Sequence, residues 1–285
     1  MATLHLVTGD KGGTGKTFLA RTLAQYFVDM GIELALFDAD RCNPLFKKIY
    51  QNAGCGEIIV SESKEYENDA RPAYLSAMKK TTLVDLPAQV INALKKWFEK
   101  NSLFEMAEDH GVDFTIWFVS NGEEYSLELF SEYLSYFQGR VNYVLVKNLH
   151  FCGEDGWILL EENKYLQQKM NEYGVKIVNL PSFELDSCRQ MIGKLGLTFG
   201  AATQYKAFNV FDRQGAKTYL GQSYEAFDEA GVIYKDIEVV ANELSAKKAL
   251  DSDKLVKLSK EVESTNGKTK HKVMAEEISN GVGAM

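Results

Sequence analysis

The sequence predicts an α/β protein: a mostly parallel, twisted sheet with helices on both faces. Three observations predict it. Short apolar runs rich in β-branched residues recur along the chain. Apolar residues at helical spacing lie between them. The first strand–helix junction is a glycine-rich loop. Strands alternating with helices imply βαβ units, and apolar character on both faces of a strand implies a covered, parallel sheet.

The elements follow in order. The first strand is Thr3–Thr8, and Leu19, Leu23, Phe27 and Met30 then mark a helix. Glu33–Phe37 is the second strand. Between Pro44 and Lys80 the pattern weakens, and Glu62, Glu65, Glu67 and Asp69 against one Lys64 read as an exposed acidic stretch. Thr82–Leu86 is a strand, followed by a helix carrying Val90, Leu94, Trp97 and Phe98. Val112–Val119 precedes a helix whose Leu127, Phe130, Leu134 and Phe137 serve packing. Val141–Val146 and Val175–Leu180 complete the strands, and Ala201–Ala246 reads as mostly helical. The division expected is a nucleotide-binding domain over 1–245 and a lysine-rich helical segment with a disordered tail over 246–285.

Composition narrows the function. Hydrophobic residues are 45% and charged residues 25% of the 285, ordinary for a folded chain. Lys+Arg 32 against Asp+Glu 40 leaves −8, so an overall basic footprint for nucleic acid is absent. One local exception is Lys247–Lys272, where eight lysines face four acids. Within it Lys254, Lys257 and Lys260 recur every three residues along one helix face, a candidate contact for DNA phosphates. No run approaches the ~18 apolar residues of a membrane span. Four scattered cysteines without CxxC spacing fit a reducing compartment, so a cytoplasmic protein is expected. The four histidines form no cluster, and His5 reads as a core residue of its strand.

The chemistry concentrates in Gly9-Asp10-Lys11-Gly12-Gly13-Thr14-Gly15-Lys16-Thr17. It follows a strand and opens a helix, as a phosphate-binding loop must. Gly12, Gly13 and Gly15 allow backbone N–H groups, with that of Thr14, to approach phosphates, and the helix N-terminus adds its dipole. Lys16 is placed to reach the β/γ-phosphates and Thr17 to ligate Mg²⁺. Carboxylates then close two strands: Asp38 and Asp40 after the second, Asp85 after the third, where parallel strands point into a ligand crevice.

The K-G-G-x-G-K-T form, with its extra Lys11, resembles the deviant Walker A motif of the ParA/MinD family of P-loop ATPases. The resemblance covers roughly residues 1–200 and is most specific in the first 90. It implies a P-loop NTPase fold, ATP with Mg²⁺ as cofactors, and a dimer formed on ATP binding, in which Lys11 reaches the partner copy's nucleotide. It implies Asp38 in the Mg²⁺ shell, Asp40 at the attacking water and Asp85 on Mg²⁺ through water. It makes Leu86-Pro87-Ala88-Gln89 a γ-phosphate switch and puts Asn148 and Pro181 at the adenine. Departures are Phe18, where relatives carry Thr or Ser, and Arg41-Cys42-Asn43-Pro44 in place of Pro-Gln-Gly.

The function this implies is an ATPase switch for plasmid or DNA partition or cargo positioning, with a protein partner that stimulates hydrolysis. An accessory ATPase of plasmid mobilisation or conjugation shares the chemistry. The rival from another class is a metabolic P-loop synthetase or kinase, which would need an acceptor pocket that the sequence does not reveal.

Overall fold

Strands β1 (Ala2–Thr8), β2 (Leu34–Asp38), β3 (Gly56–Glu57), β4 (Thr81–Asp85), β5 (Val112–Ser120), β6 (Asn142–Asn148) and β7 (Lys176–Leu180) pair in the order β3-β2-β4-β1-β5-β6-β7. Every pairing is parallel. The computed structural model describes residues 2–233 apart from Asp10 and Glu154. The lysine-rich segment, with Lys254, Lys257 and Lys260, lies outside the described residues.

Among the described residues the α-helices are α1 (Lys16–Asp29), α2 (Leu45–Tyr50), α3 (Arg71–Ala77), α4 (Ile91–Lys100), α5 (Leu103–His110), α6 (Glu124–Phe137), α7 (Leu149–Cys152), α8 (Ile158–Glu162), α9 (Lys164–Glu172), α10 (Asp186–Leu195), α11 (Phe199–Ala202) and α12 (Val210–Ala230). None is long and apolar enough to cross a membrane.

Side-chain alternation along the strands sorts the helices into two layers. Leu4, Leu6, Val84, Phe114, Ile116 and Phe118 face a core shared with α3–α6, which contribute Tyr74, Leu94, Phe98, Phe130 and Phe137. The alternating residues face the other way. His5 packs on Phe27 of α1 and accepts a hydrogen bond from Trp117 Nε1, 3.1 Å, while Trp117 meets Phe227 of α12. A third cluster, Phe183, Phe199 and Tyr219 with the partly buried Phe18, joins α10, α11 and α12 to the start of α1.

The six strands expected are all present. The stretch 44–80 is where the structure adds most. It contains α2, β3 and α3, and buries Phe46, Ile49, Tyr50, Ile58, Ala73, Tyr74 and Ala77. Each element is at most two turns long, so none repeats a hydrophobic period often enough to be read. Glu62, Glu65 and Asp69 are exposed as expected, whereas Glu67 is half-buried and pairs with Lys100.

Candidate functional site: a nucleotide-binding loop and its carboxylates

Strand order reverses at β1, which lies between β4 and β5. In an open parallel sheet the crevice beyond the strand ends at such a point is where ligands bind, and the glycine loop leaves β1 there. Gly15 caps α1 at φ 100°, in the left-handed region, and a Cβ on it would stand 2.5 Å from Asn148 Nδ2. Only glycine meets both demands. Gly12 and Gly13 are exposed, with open space where a Cβ would stand. Thr14 is buried, and its hydroxyl donates to the Lys11 carbonyl at 3.3 Å. Lys16 is 8% exposed and its Nζ donates to the same carbonyl at 3.0 Å, so the loop's cation is held at the centre of its own turn.

The sheet register brings two acids together. Asp38 and Asp85 are paired partners on neighbouring strands, each 1% exposed. Asp38 accepts the backbone N–H groups of Asp40 (2.9 Å) and Lys47 (2.8 Å). Its carboxyl is still raised, by burial first and then by Asp40 and Glu57. Neither oxygen of Asp85 has a hydrogen-bond partner in good geometry. Burial pushes this carboxyl up to about 8, against the opposing pull of the nearby Thr17 hydroxyl and of Lys16. Two buried carboxylates side by side disfavour their own charge. A divalent cation would remove that cost, and Mg²⁺ is held by one or two carboxylates together with phosphates and waters. Thr17, Asp38 and Asp85 therefore fit a Mg²⁺ site that is completed by a nucleotide.

The other expected residues fall around this centre. Asp40 is half-buried, and its Oδ1 accepts the N–H groups of Cys42 (3.0 Å) and Asn43 (3.1 Å). Asn148 closes β6 beneath the loop, where its amide donates to the Thr14 carbonyl at 2.8 Å and its Oδ1 accepts His150 N–H. Pro181 follows β7, next to Ser182, whose hydroxyl lies 3.2 Å from His150 Nδ1. Phe18 makes an edge contact with Phe199 at 5.0 Å, so a ring packs where a hydroxyl was wanted. Gln89 has φ 55°, a costly conformation for a non-glycine residue, in the loop after Asp85.

Three charged residues at the site escaped the sequence reading. Glu123, at the start of α6, forms an ion pair with Lys11 across 112 residues. Lys47 pairs with Glu57, which stands beside Asp38 in the β2–β3 register. The available signal was position: Glu57 and Glu123 both end or closely follow parallel strands, as Asp38 and Asp85 do.

Residues 5–279 match the CobQ/CobB/MinD/ParA nucleotide binding domain. The chain is 22% identical over 248 residues to Protein TraL of Escherichia coli, covering 82% of this chain and 100% of TraL. It is 28% identical over 184 residues to Protein MobD of Acidithiobacillus ferrooxidans, covering 62% of this chain and 77% of MobD. Among solved structures it is similar to the cell division ATPase MinD of Pyrococcus furiosus, at 16% identity and a TM-score of 0.45, over 80% of this chain and 99% of that one. With the phosphate loop, its two strand-end carboxylates and a family match across most of its length, the chain belongs to the CobQ/CobB/MinD/ParA nucleotide-binding domain family.

Proposed function

We propose that the protein is an ATP-dependent dimerising switch. It binds Mg-ATP, closes face to face on a second copy, and resets by slow hydrolysis. The observation that carries this reading is the position of Lys11. Its side chain is 41% exposed at the rim of the loop that holds Lys16 inside. A lysine so placed can meet the nucleotide of a second copy and stabilise the charge spreading over the γ-phosphate.

Thr17, Asp38 and Asp85 would hold Mg²⁺, which when bound neutralises charge on the β- and γ-phosphates. Lys16 would leave the Lys11 carbonyl for those phosphates. Asp40 would orient the attacking water once its loop turns toward the nucleotide. Asn148 and Pro181 would border the adenine. Pro87-Ala88-Gln89 would report the γ-phosphate to α4.

For cargo, the relatives named TraL and MobD support plasmid transfer or mobilisation ahead of partition. A protein partner that stimulates hydrolysis belongs to this reading. So does weak DNA binding through Lys254, Lys257 and Lys260, which a salt series on the ATP-bound dimer would show as steeply salt-sensitive.

The test is light scattering with Asp40→Ala, which should bind ATP, dimerise and remain dimeric because turnover is lost. A chain that stays monomeric with Mg-ATP overturns the switch. Turnover that rises only with a small-molecule acceptor would favour a metabolic kinase or synthetase instead.

A further inference from the structure

A second cavity lies away from the phosphate loop, between α3 and the α4–α5 junction. It has a volume of about 430 Å³, within the roughly 300–1,000 Å³ range of small-molecule pockets. Helix α4 begins just past Gln89, and its last turn lines the cavity. At 1.5 Å per residue, the helix separates the cavity from the loop after Asp85 by about 15 Å.

The chemistry of the lining is one-sided. Tyr74 and Trp97 are 3% and 6% exposed, and both belong to it. Tyr74 Oη and Trp97 Nε1 are buried without a hydrogen-bond partner. Buried donors are nearly always satisfied, because an unmade bond leaves their desolvation cost unreturned. Arg71 and Lys100 add cations, and among the described residues no Asp or Glu lines the cavity. The nearest carboxylate effect on it is that of Asp109, which, after burial, raises the pKa of the Tyr74 phenol. Lys100 pairs with Glu67. Leu75, Leu103 and Met106 supply apolar wall. Ser102, also in the lining, has φ 47°, and strained non-glycine backbone of this kind clusters at ligand clamps.

We propose that this cavity binds a small amphipathic carboxylate. The apolar body of the ligand lies against Leu75, Leu103 and Met106. Its carboxylate accepts from Arg71, and binding brings the Trp97 and Tyr74 donors, closed off in the free protein, within reach of its second oxygen. A carboxylate is the fitting headgroup because it is acceptor-only and takes a guanidinium in a forked pair.

The three tryptophans allow a direct test. Trp117 and Trp157 already donate their indole N–H, to His5 and to the Gly153 carbonyl. Titrating the full-length protein with phenylacetate should therefore move the Trp97 indole N–H resonance saturably and leave the other two in place. The cation phenethylamine should not move it. Arg71→Gln should weaken phenylacetate about tenfold, as loss of a charge-assisted contact does. Unmoved Trp117 and Trp157 resonances in that variant establish that it is folded. No saturable shift, an equal shift from phenethylamine, or unchanged affinity in Arg71→Gln overturns the proposal. Competition by ATP that is lost in Lys16→Ala also overturns it, because it would place phenylacetate at the phosphate loop.

Discussion

The nucleotide site has two charged halves in opposite surroundings. Asp38 and Asp85 sit at the ends of adjacent strands, 1% exposed and both shifted toward the neutral form. Lys11 and Glu123 sit at the rim, 41% and 55% exposed, already paired with each other. The difference is one of dielectric. Buried acids cannot borrow water to screen one another, so they remain unfavourable until a cation arrives. An exposed pair gains little by forming and loses little by parting. The inner half is built to wait for a ligand and the outer half to exchange partners.

Substitutions can break or sharpen this contrast. The largest effect is expected from Lys16→Ala, which removes the enclosed cation. ATP affinity should fall at least about a hundredfold, the loss of charge-assisted contacts to phosphate. Titration calorimetry would check it, and near-parental affinity would refute the loop's role. Next is Lys11→Ala at the rim. Nucleotide affinity should stay within about threefold, since an exposed charge is worth about 1 kcal/mol or less, while dimerisation with ATP is lost. A variant that dimerises like the parent in light scattering would show that the rim lysine is not shared between copies.

A middle-sized effect tests the inner half. Asp85→Asn should stabilise the nucleotide-free protein in EDTA at neutral pH by about 2 kcal/mol, because burial pushes this carboxyl up to about 8, so folding must protonate a group that is ionised in the unfolded chain, a cost the neutral amide does not carry. Adding Mg-ATP should then raise its melting temperature less than it raises the parent's. A destabilised variant in EDTA would mean that the Asp85 charge is already compensated. The smallest effect is Glu123→Gln, expected to leave stability close to the parent's because the exposed pair is screened by water. Lys11 holds the Glu123 carboxyl below its usual range. What the pair contributes is therefore present above the ordinary carboxylate pKa and fades as the solution is acidified or salted. Urea melts at low and high salt would measure it, and a salt-insensitive loss would show the pair to be structural.

The two halves were also unequally legible before folding. Gly12 to Thr17 form a contiguous motif, and Asp38 and Asp85 each close an apolar run, so both kinds of signal survive in one dimension. Glu123 carries no local mark. Its meeting with Lys11 depends on β5 lying beside β1, which brings residues 112 apart to one rim. Asn148 was expected at the adenine. The fold puts it under Gly15, where its amide braces the loop through Thr14. The weakly patterned stretch after Pro44 concealed β3, a two-residue strand whose pairing with β2 places Glu57 beside Asp38.

Alone, the sequence determined the fold class, six of the seven strands, the phosphate loop and the two carboxylates that close their strands. Strand periods, glycine positions and caps express preferences of neighbouring residues, and those are written locally. Tertiary structure decided the strand order, the pairing of Asp38 with Asp85, the capture of Lys11 by Glu123, and the donor-lined cavity under α4. Each is a contact between distant segments. Its free energy comes from burial and charge proximity that exist only once the sheet has closed and water has left.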